Sequence, residues 1–399
     1  MLRKIAVSDL RLGMYIHEFC RPRLHDPFWT QHVERELSDE TVLQRIQAST
    51  REVWIDTGRG KSPDEQTTIL AFAPSSTREA DTTPSTMEKE LARAKAICGR
   101  AKAAVMTMFT DARMGRAMNA EDVDLLVEEI STSVMRHPHA LISLSRLKTS
   151  DEYTYMHSVA VCALMVALAR QMELNEEQVR EAGVAGLMHD VGKMMIPKTI
   201  LNKPDRLTFE EFEAMKYHPQ AGLKILQDTR QATKAVLDVC LHHHEKMDGT
   251  GYPHGLKGDE ISIYAKMGAI CDVYDAVTSD RPYKKGWDAA QSIREMASWK
   301  GHFDDTIFQH FVKTVGIYPV GALVRLKSER LGVVMEQGEK SLLHPKVKVF
   351  LSTRTRITFM PEIVDLACTD EHDAIVKYER AEDWGVRDVE KMWAGDAAV

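Results

Sequence analysis

Residues 153–192 read YTYMHSVAVCALMVALARQMELNEEQVREAGVAGLMHDVG. Apolar side chains recur in this stretch at the three- and four-residue spacing of α-helices. Asn175 before the second apolar run predicts a helix N-cap, and so does Thr208 before FEEFEAMKYH further along the chain. The predicted helices carry His157 near the start of the first and His189 with Asp190 at the end of the second. Imidazole and carboxylate groups are ligands that divalent metals prefer. The stretch therefore predicts a helical scaffold around a metal centre.

Further metal-ligand residue types follow at long intervals, namely His218, His243, His244 and Asp272. Ligands this far apart must come from different helices to meet. The glycine-rich stretch DGTGYP at 248–253 follows the histidine pair and permits tight turns close to a ligand. An isolated His-Asp pair at a helix end commonly caps the helix, but these additional residues favour a metal site.

The order and spacing of these motifs also resemble a known family. The matching segments are GLMHDVGKMMIPKTILNKP at 186–204, MKYHPQAG at 215–222, HHHEKMDGTGYPHGLKGDEI at 242–261 and DVYDAVTSDRPYKK at 272–285. Together they resemble the HD-GYP family of cyclic dinucleotide phosphodiesterases, over roughly residues 150–300. The whole series is far more specific than one His-Asp pair.

The resemblance implies two divalent metal ions with a shared aspartate. One ion is expected on His157, His189, Asp190 and Asp272, and the other on Asp190, His218, His243 and His244. Two cations about 3.5–4 Å apart can hold a bridging hydroxide that attacks the phosphodiester, so that the sugar 3′ oxygen leaves. The family implies iron or manganese, while the ligand types alone also admit zinc, cobalt or nickel.

Members of the family with three metals carry a glutamate four residues before the first histidine. Tyr153 occupies that position here, and the nearest acid, Glu152, lies one residue too early for the same helical face. We therefore expect two metals. Matching the family pattern onto His243 and His244 leaves His242 outside the ligand set.

The residues expected to act on the substrate surround these ligands. Asp190 and Lys193 are the predicted catalytic residues, the lysine placing its ammonium beside the phosphate as the family's corresponding lysine does. Arginine and lysine in RPYKK resemble the family's phosphate-contacting pair. Substrate contacts are expected from Lys193, Gly251, Tyr252, Pro253, Arg281 and Lys284. Asp275, one turn from Asp272, is more typical of a residue that supports a ligand than of a ligand itself.

Composition limits the class of partner and the location. The chain has 399 residues and a net charge of −7, which argues against a general nucleic-acid binder but is compatible with a small phosphate ligand held by local cations. The most apolar run, Val159–Ala169, is much shorter than the ~20 residues of a membrane-spanning helix. The first residues do not follow a secretion-signal pattern. We expect a cytoplasmic protein without membrane insertion.

Changes in sequence pattern predict a mainly α protein with small β-rich regions at both ends. Residues 1–72 form a β-rich region that resembles the domain of unknown function often preceding HD-GYP modules, and 73–86 form a Pro/Ser/Thr-rich linker. Residues 87–316 form the all-α HD-GYP bundle, and 317–399 a β-rich C-terminal extension.

The resemblance implies hydrolysis of cyclic di-GMP to pGpG, with further cleavage to GMP left open. Two alternatives also stay open: hydrolysis of another cyclic dinucleotide such as cyclic GMP-AMP, and a weakly active cyclic di-GMP sensor. Protein partners such as diguanylate cyclases and a homodimer are further expectations from the family.

Overall fold

The computed structural model describes residues 2–7, 10, 14–20, 32–36, 46, 52–56, 59, 81–114, 116, 119–147, 153–203, 205–228, 232–279, 286–338, 341–368 and 373–398. The chain divides into two compact units, Met1–Pro74 and Ser75–Val399. Each unit contains its own cluster of buried apolar side chains.

The first unit is built on an antiparallel sheet. Its strands are β1 (Leu2–Ala6), β2 (Tyr15–Cys20), β3 (His32–Glu36) and β4 (Glu52–Asp56), in the order β1-β4-β2-β3. Val53 and Ile55 alternate with the partly exposed Trp54 and Asp56 along β4 and are fully buried beside Ile5 and Ile16. This period-two pattern places one face of the sheet on a core, which confirms the predicted β-rich character.

The second unit begins with helices, as predicted. They are α1 (Met87–Arg113), α2 (Ala120–Arg136), α3 (Pro138–Ser145), α4 (Tyr153–Gln171), α5 (Glu176–Met188), α6 (Lys198–Leu201), α7 (Phe209–Met215), α8 (His218–Asp228), α9 (Lys234–His242), α10 (Ile263–Thr278), α11 (Ala289–Ser298) and α12 (Asp305–Val315). Helix α4 is buried from Met156 to Ala169, because its apolar residues cover every face. The other long helices pack around it in one core.

Both predicted helix caps are present. Asn175 forms a capping box with Gln178 at the start of α5, and Thr208 forms one with Glu211 at the start of α7. Each pair satisfies backbone N–H groups that the first helical turn leaves without an intrahelical partner. The caps therefore set where these two helices begin. In the sequence they lie on either side of His189 and Asp190.

A second antiparallel sheet follows the helices. Its strands are β5 (Leu323–Leu326), β6 (Arg330–Glu336), β7 (Lys346–Ser352), β8 (Thr358–Asp365) and β9 (Ile375–Tyr378), in the order β8-β7-β6-β5-β9. Leu331, Val333 and Leu351 join the helical core, whereas Val334 and Val347 belong to a small core of the sheet itself. The sheet and the bundle thus share buried surface.

Two short helices end the described chain, α13 (Ala381–Trp384) and α14 (Val389–Ala394), and the sequence pattern did not predict them. Trp393 in α14 is only 5% exposed and belongs to the helical core. Helices this short depend on such tertiary contacts because their own hydrogen bonds do not offset nucleation.

The end of the predicted linker lies against the bundle. Arg136 donates a hydrogen bond to the Asp81 carbonyl at 3.1 Å, and the Ser85 N–H donates to the Arg136 carbonyl at 3.0 Å. Residues 73–80 of that linker lie outside the described part, and the predicted domain boundaries stay predictions. Over the described chain, no helix is both long enough and apolar enough to cross a membrane.

Candidate metal centre

The predicted ligands come together in the middle of the bundle because helix ends converge there. Asp190 lies between the end of α5 and a 3-10 turn at Val191–Met195, and His218 begins α8. Six of the seven ligand candidates are at most 5% exposed: His157 in α4, His189 after α5, Asp190, His218, His243 after α9 and Asp272 in α10. The chain changes direction at a helix end, so the side chains of neighbouring residues there can point into the same metal centre.

Two glycines allow this convergence. Gly192 lies so close to the His218 carbonyl and to Gly222 that a Cβ atom at Gly192 would collide with backbone. The turn after Asp190 therefore packs directly on the first turns of α8, which brings Asp190 next to His218. The sequence analysis did not single out these glycines, although both lie inside quoted motifs, HDVGK and HPQAG.

The two carboxylate oxygens of Asp190 face different histidines. Oδ2 lies 3.3 Å from His189 Nε2 and 3.4 Å from His157 Nε2. Oδ1 lies 3.3 Å from His218 Nε2 and 3.7 Å from His243 Nε2. One carboxylate thus lies between two groups of nitrogen ligands.

Ligand atoms within 4.8 Å of one another define these two groups. The first set is His157, His189, Asp190 and Asp272, and the second set is His218, His243 and His244. Within the first set, His157 Nε2 is 2.9 Å from Asp272 Oδ1. His244 Nδ1 of the second set is 3.7 Å from Asp272 Oδ2, so Asp272 also lies near both sets.

Backbone carbonyls orient most of the imidazoles. Nδ1 donates to a carbonyl three or four residues earlier in His189 to Gly186 at 2.8 Å, His218 to Met215 at 2.8 Å and His243 to Val239 at 2.9 Å. A carbonyl can only accept, so Nδ1 carries a proton, and each ring presents Nε2 to the centre, with a free lone pair whenever the ring is neutral. This is the orientation that metal-bound histidines commonly have.

His157 is oriented by a carboxylate instead. Its Nδ1 lies 2.6 Å from Asp275 Oδ2, and Asp275 is fully buried. The arrangement matches the carboxylate–histidine–metal pattern in which an outer acid raises the basicity of a ligand. The geometry places Asp275 behind His157, where a supporting residue would lie.

Two buried polar atoms in the centre have no hydrogen-bond partner among the described residues: His189 Nε2 and Asp190 Oδ1. Leaving buried polar atoms unpaired costs about 1–3 kcal/mol each. Both atoms are good donors to a divalent cation and both face the space between the two sets. The residues therefore fit divalent metal binding.

Protons would compete with a metal ion for the ligand atoms of the first set. Burial opposes protonation of His189, but the charges of Asp190 and Asp272 outweigh it and raise the pKa of His189 to about 10. Burial likewise opposes a charge on His157, yet its hydrogen bonds with Asp190 and Asp272 raise the pKa. The pKa of Asp272 stays well below its usual range despite burial, because of its hydrogen bond with His157 and the nearby His189 ring.

The second set has the opposite electrostatics. Burial, together with the nearby charge of His189, lowers the pKa of His243 to about 3. Burial and the neighbouring His243 hold the pKa of His244 well below its usual value. These rings are neutral at ordinary pH and need not lose a proton before coordination.

The predicted catalytic lysine contacts the centre directly. Lys193 Nζ lies 2.5 Å from Asp190 Oδ2. Although burial raises the pKa of Asp190, the charges of His189 and Lys193 hold it well below the usual range. The geometry thus places an ammonium at the edge of the first set.

The glycine-rich loop lies on the side of the second set. The Tyr252 ring stacks on His244 with 4.6 Å between centroids, and burial raises the pKa of Tyr252, so its phenol stays neutral. Pro253 follows through a cis peptide bond. Gly251 lies against the Glu245 backbone with no room for a Cβ atom, so its close approach requires glycine.

Glu245 holds this loop, a role that the sequence analysis did not assign. Its carboxylate accepts from the backbone N–H groups of His254 at 2.7 Å, Gly255 at 3.1 Å and Leu256 at 3.1 Å. The side chain is 2% exposed. An acid directly after the paired histidines and just before a glycine-rich turn was the available signal.

Arg281 and Lys284 lie outside the described residues, as do Glu152 and the side chain of Tyr153. His242 Nδ1 lies 2.7 Å from Asp238 and its Nε2 lies 3.0 Å from His254, so His242 belongs to neither ligand set.

Comparisons with protein families match both units. A model of the HD domain family matches residues 132–307. A model of a domain of unknown function (DUF3391) matches residues 2–123. The second match extends beyond the first unit into α1 and α2.

Similar proteins include named phosphodiesterases. The chain is 55% identical over 399 residues to cyclic di-GMP phosphodiesterase PA4108 of Pseudomonas aeruginosa, covering 99% of this chain and 96% of the relative. It is 36% identical over 170 residues to the cyclic di-GMP phosphodiesterase response regulator RpfG of Xanthomonas campestris, covering 41% and 44%. It is 33% identical over 204 residues to 3′3′-cGAMP-specific phosphodiesterase 2 of Vibrio cholerae, covering 49% and 38%.

Proposed function

The chain belongs to the HD-GYP family of cyclic di-GMP phosphodiesterases, and we propose that it hydrolyses cyclic di-GMP to pGpG at a centre of two divalent metal ions. The relative that matches 99% of this chain at 55% identity is named for cyclic di-GMP. The relative named for 3′3′-cGAMP matches 49% of the chain at 33% identity. These matches favour cyclic di-GMP over the mixed dinucleotide.

One observation carries the proposal: the two oxygens of Asp190 face two different ligand sets. Oδ2 is within 3.4 Å of both first-set histidines, and Oδ1 is within 3.7 Å of His218 and His243. A carboxylate in this position can bridge two cations. We assign the first metal to the first set and the second metal to Asp190 with the second set.

Bound metal ions would lower the pKa of a water nucleophile and neutralise charge on the phosphodiester. The protein's own contribution is to hold the ligand side chains in the orientation that metal binding needs. The carbonyl-bonded rings of His189, His218 and His243 hold their Nε2 atoms toward the centre, so these rings need not rotate on binding. Asp275 does the same for His157.

Lys193 is proposed to act on the phosphate. Its ammonium is held 2.5 Å from Asp190 Oδ2, next to the position where a phosphodiester must lie. There it would offset negative charge that grows on the nonbridging oxygens as the nucleophile attacks. An interaction that strengthens in the transition state affects turnover more than binding, so Lys193→Ala should lower kcat more than it raises KM.

Tyr252 and Glu245 are proposed to shape the substrate side of the centre. The Tyr252 ring covers His244 and presents a neutral phenol, which can donate to an oxygen of the substrate. Glu245 keeps the loop in place through its bonds to three backbone N–H groups. For the metal ions, we propose iron or manganese, and a stoichiometry of two.

The test uses protein purified anaerobically, with elemental analysis before assay. Incubation with cyclic di-GMP and, separately, with 3′3′-cGAMP is followed by separation of the products. We expect about two metals per chain and faster conversion of cyclic di-GMP to pGpG; the time course also determines whether GMP follows. Faster cleavage of 3′3′-cGAMP would reassign the substrate, and tight binding of cyclic di-GMP without turnover would identify a sensor.

A further inference from the structure

Helix α7 carries aromatic side chains that the protein core does not use. Phe209 is 74% exposed, Phe212 is 43% exposed, and Tyr217 just after the helix is 54% exposed. None of the residues of α7 is buried, and its start is fixed by the capping box of Thr208. Large apolar groups left together on a surface are typical of a binding site.

Lys216 connects this helix to the metal centre. Its ammonium nitrogen lies 5.0 Å from the Phe212 ring centroid and 5.8 Å from the Tyr252 ring centroid. Both distances are within the range of cation–π attraction. The same nitrogen lies 2.6 Å from Glu213 Oε1, which steadies the side chain.

The position of Lys216 indicates which part of a nucleotide it would meet. Tyr252 stacks directly on His244 of the second set, and Lys216 lies on Tyr252. Lys216 thus contacts Tyr252 beside the metal centre, whereas Lys193 contacts the ligand Asp190 directly. Lys193 is the lysine placed for a phosphate that reacts between the two ligand sets, and Lys216 beside Tyr252 is placed for the nucleoside attached to that phosphate.

We propose that Phe212 and Lys216 form a subsite for one guanine of cyclic di-GMP, an inference that rests on the proposed function. The base lies against the exposed part of the Phe212 ring, and the Lys216 ammonium donates to its O6 and N7 atoms. Guanine presents two acceptors on this edge, whereas adenine presents one acceptor and the N6 amino donor. The subsite therefore selects guanine by hydrogen bonding and holds either purine by stacking.

The ion pair with Glu213 alone does not account for this arrangement. Both partners are partly exposed, with side-chain exposures of 32% for Lys216 and 47% for Glu213. Pairs of this kind contribute only about 0.2–1 kcal/mol to stability. Glu213 instead fixes the direction of an ammonium that still has two N–H donors for a ligand.

The experiment compares Lys216→Met, Phe212→Leu and Lys224→Met in the full-length, metal-loaded protein. Lys224 is the matched control, because it is an exposed lysine on the adjacent helix α8. The KM for cyclic di-GMP and the Ki of cyclic di-AMP as a competing inhibitor are measured for each variant. Metal content is determined in parallel.

We expect Lys216→Met to raise the KM for cyclic di-GMP about tenfold and to leave the Ki of cyclic di-AMP nearly unchanged. Phe212→Leu should weaken both ligands, by about tenfold, because stacking does not distinguish the purines. Lys224→Met should match the wild type. Metal content should be unaffected in all three variants.

Equal weakening of both ligands by Lys216→Met would assign this lysine to a phosphate and overturn the guanine subsite. An unchanged KM for cyclic di-GMP in that variant would overturn it as well. These results differ from a failure of the proposed function, in which the metal-loaded wild type itself would not hydrolyse cyclic di-GMP.

Discussion

The two ligand sets around Asp190 have similar side chains and opposite electrostatics. In the first set, carboxylates lie close to the imidazoles and raise the pKa of His189 to about 10. In the second set, rings lie near other rings, and burial lowers the pKa of His243 to about 3. The number of histidines does not explain this difference in pKa, because it depends on whether each ring lies beside a carboxylate or beside another imidazole.

The difference predicts how each set accepts a metal ion. An imidazole must be neutral to coordinate, so a metal that enters the first set must displace protons. His243 and His244 in the second set are already neutral at ordinary pH. His243 and His244 therefore offer neutral ligands from the start, whereas protons compete with a metal ion at the first set.

The largest effect is expected from removing the residue that the two sets share. Asp190→Asn keeps the shape of the side chain but loses its charge, and therefore weakens both metal sites. We expect kcat to fall on the order of 10³-fold or more, with loss of metal from both sets. Kinetics with elemental analysis measure this, and circular dichroism checks the helices. A variant with two metals and normal turnover would remove Asp190 from the bridge.

The pH dependence of metal binding should separate the sets. His157→Gln removes a ligand of the first set and leaves the second set complete. His243→Gln removes a ligand of the second set and leaves the first set complete. Because the pKa of His189 is raised to about 10, the first set should bind Mn²⁺ more tightly as pH rises below that value, by up to tenfold per pH unit.

Because the pKa of His243 in the second set is lowered to about 3, this ring should release no proton when metal binds between about pH 6 and pH 8. Calorimetry in two buffers of different ionisation enthalpy measures the protons released on binding. The same proton release in both variants would mean that the sets do not differ as described.

Asp275 supports the first set through His157. Asp275→Asn retains the shape of the side chain and should weaken metal binding at the first set by about 10–100-fold. The second set, in which His218 and His243 bond to backbone carbonyls, should keep its affinity. Competition with a metal-binding dye measures both constants, and parallel weakening of the two sets would show a general structural effect instead.

A smaller effect is expected at the loop beside the second set. Glu245→Gln replaces one acceptor oxygen by an amino group that faces backbone N–H donors, which costs about 1–3 kcal/mol in the free energy of unfolding. We expect a moderately raised KM with metal retained, because Tyr252 loses its fixed position. Urea unfolding and steady-state kinetics measure the two effects. Unchanged stability would contradict the role of Glu245 as the loop's anchor.

Local sequence pattern was sufficient for much of the fold. Helical periodicity and capping residues located α5 and α7, because both signals depend on residues within a few positions of each other. Alternation located the two β-rich regions for the same reason. The short helices α13 and α14 escaped prediction because Trp393 is buried by contacts with distant parts of the chain.

For the centre, the sequence by itself determined which side chains are available: imidazoles and carboxylates at helix ends, with a lysine three residues after Asp190. Only the tertiary structure decided which oxygen of Asp190 faces which ring, and that Asp275 lies behind His157. It also decided that Glu245 holds the loop and that Lys216 lies between two rings. The physical reason is distance: periodicity and caps act between near neighbours, whereas ligand geometry and pKa values depend on atoms brought within a few ångströms by packing of remote helices.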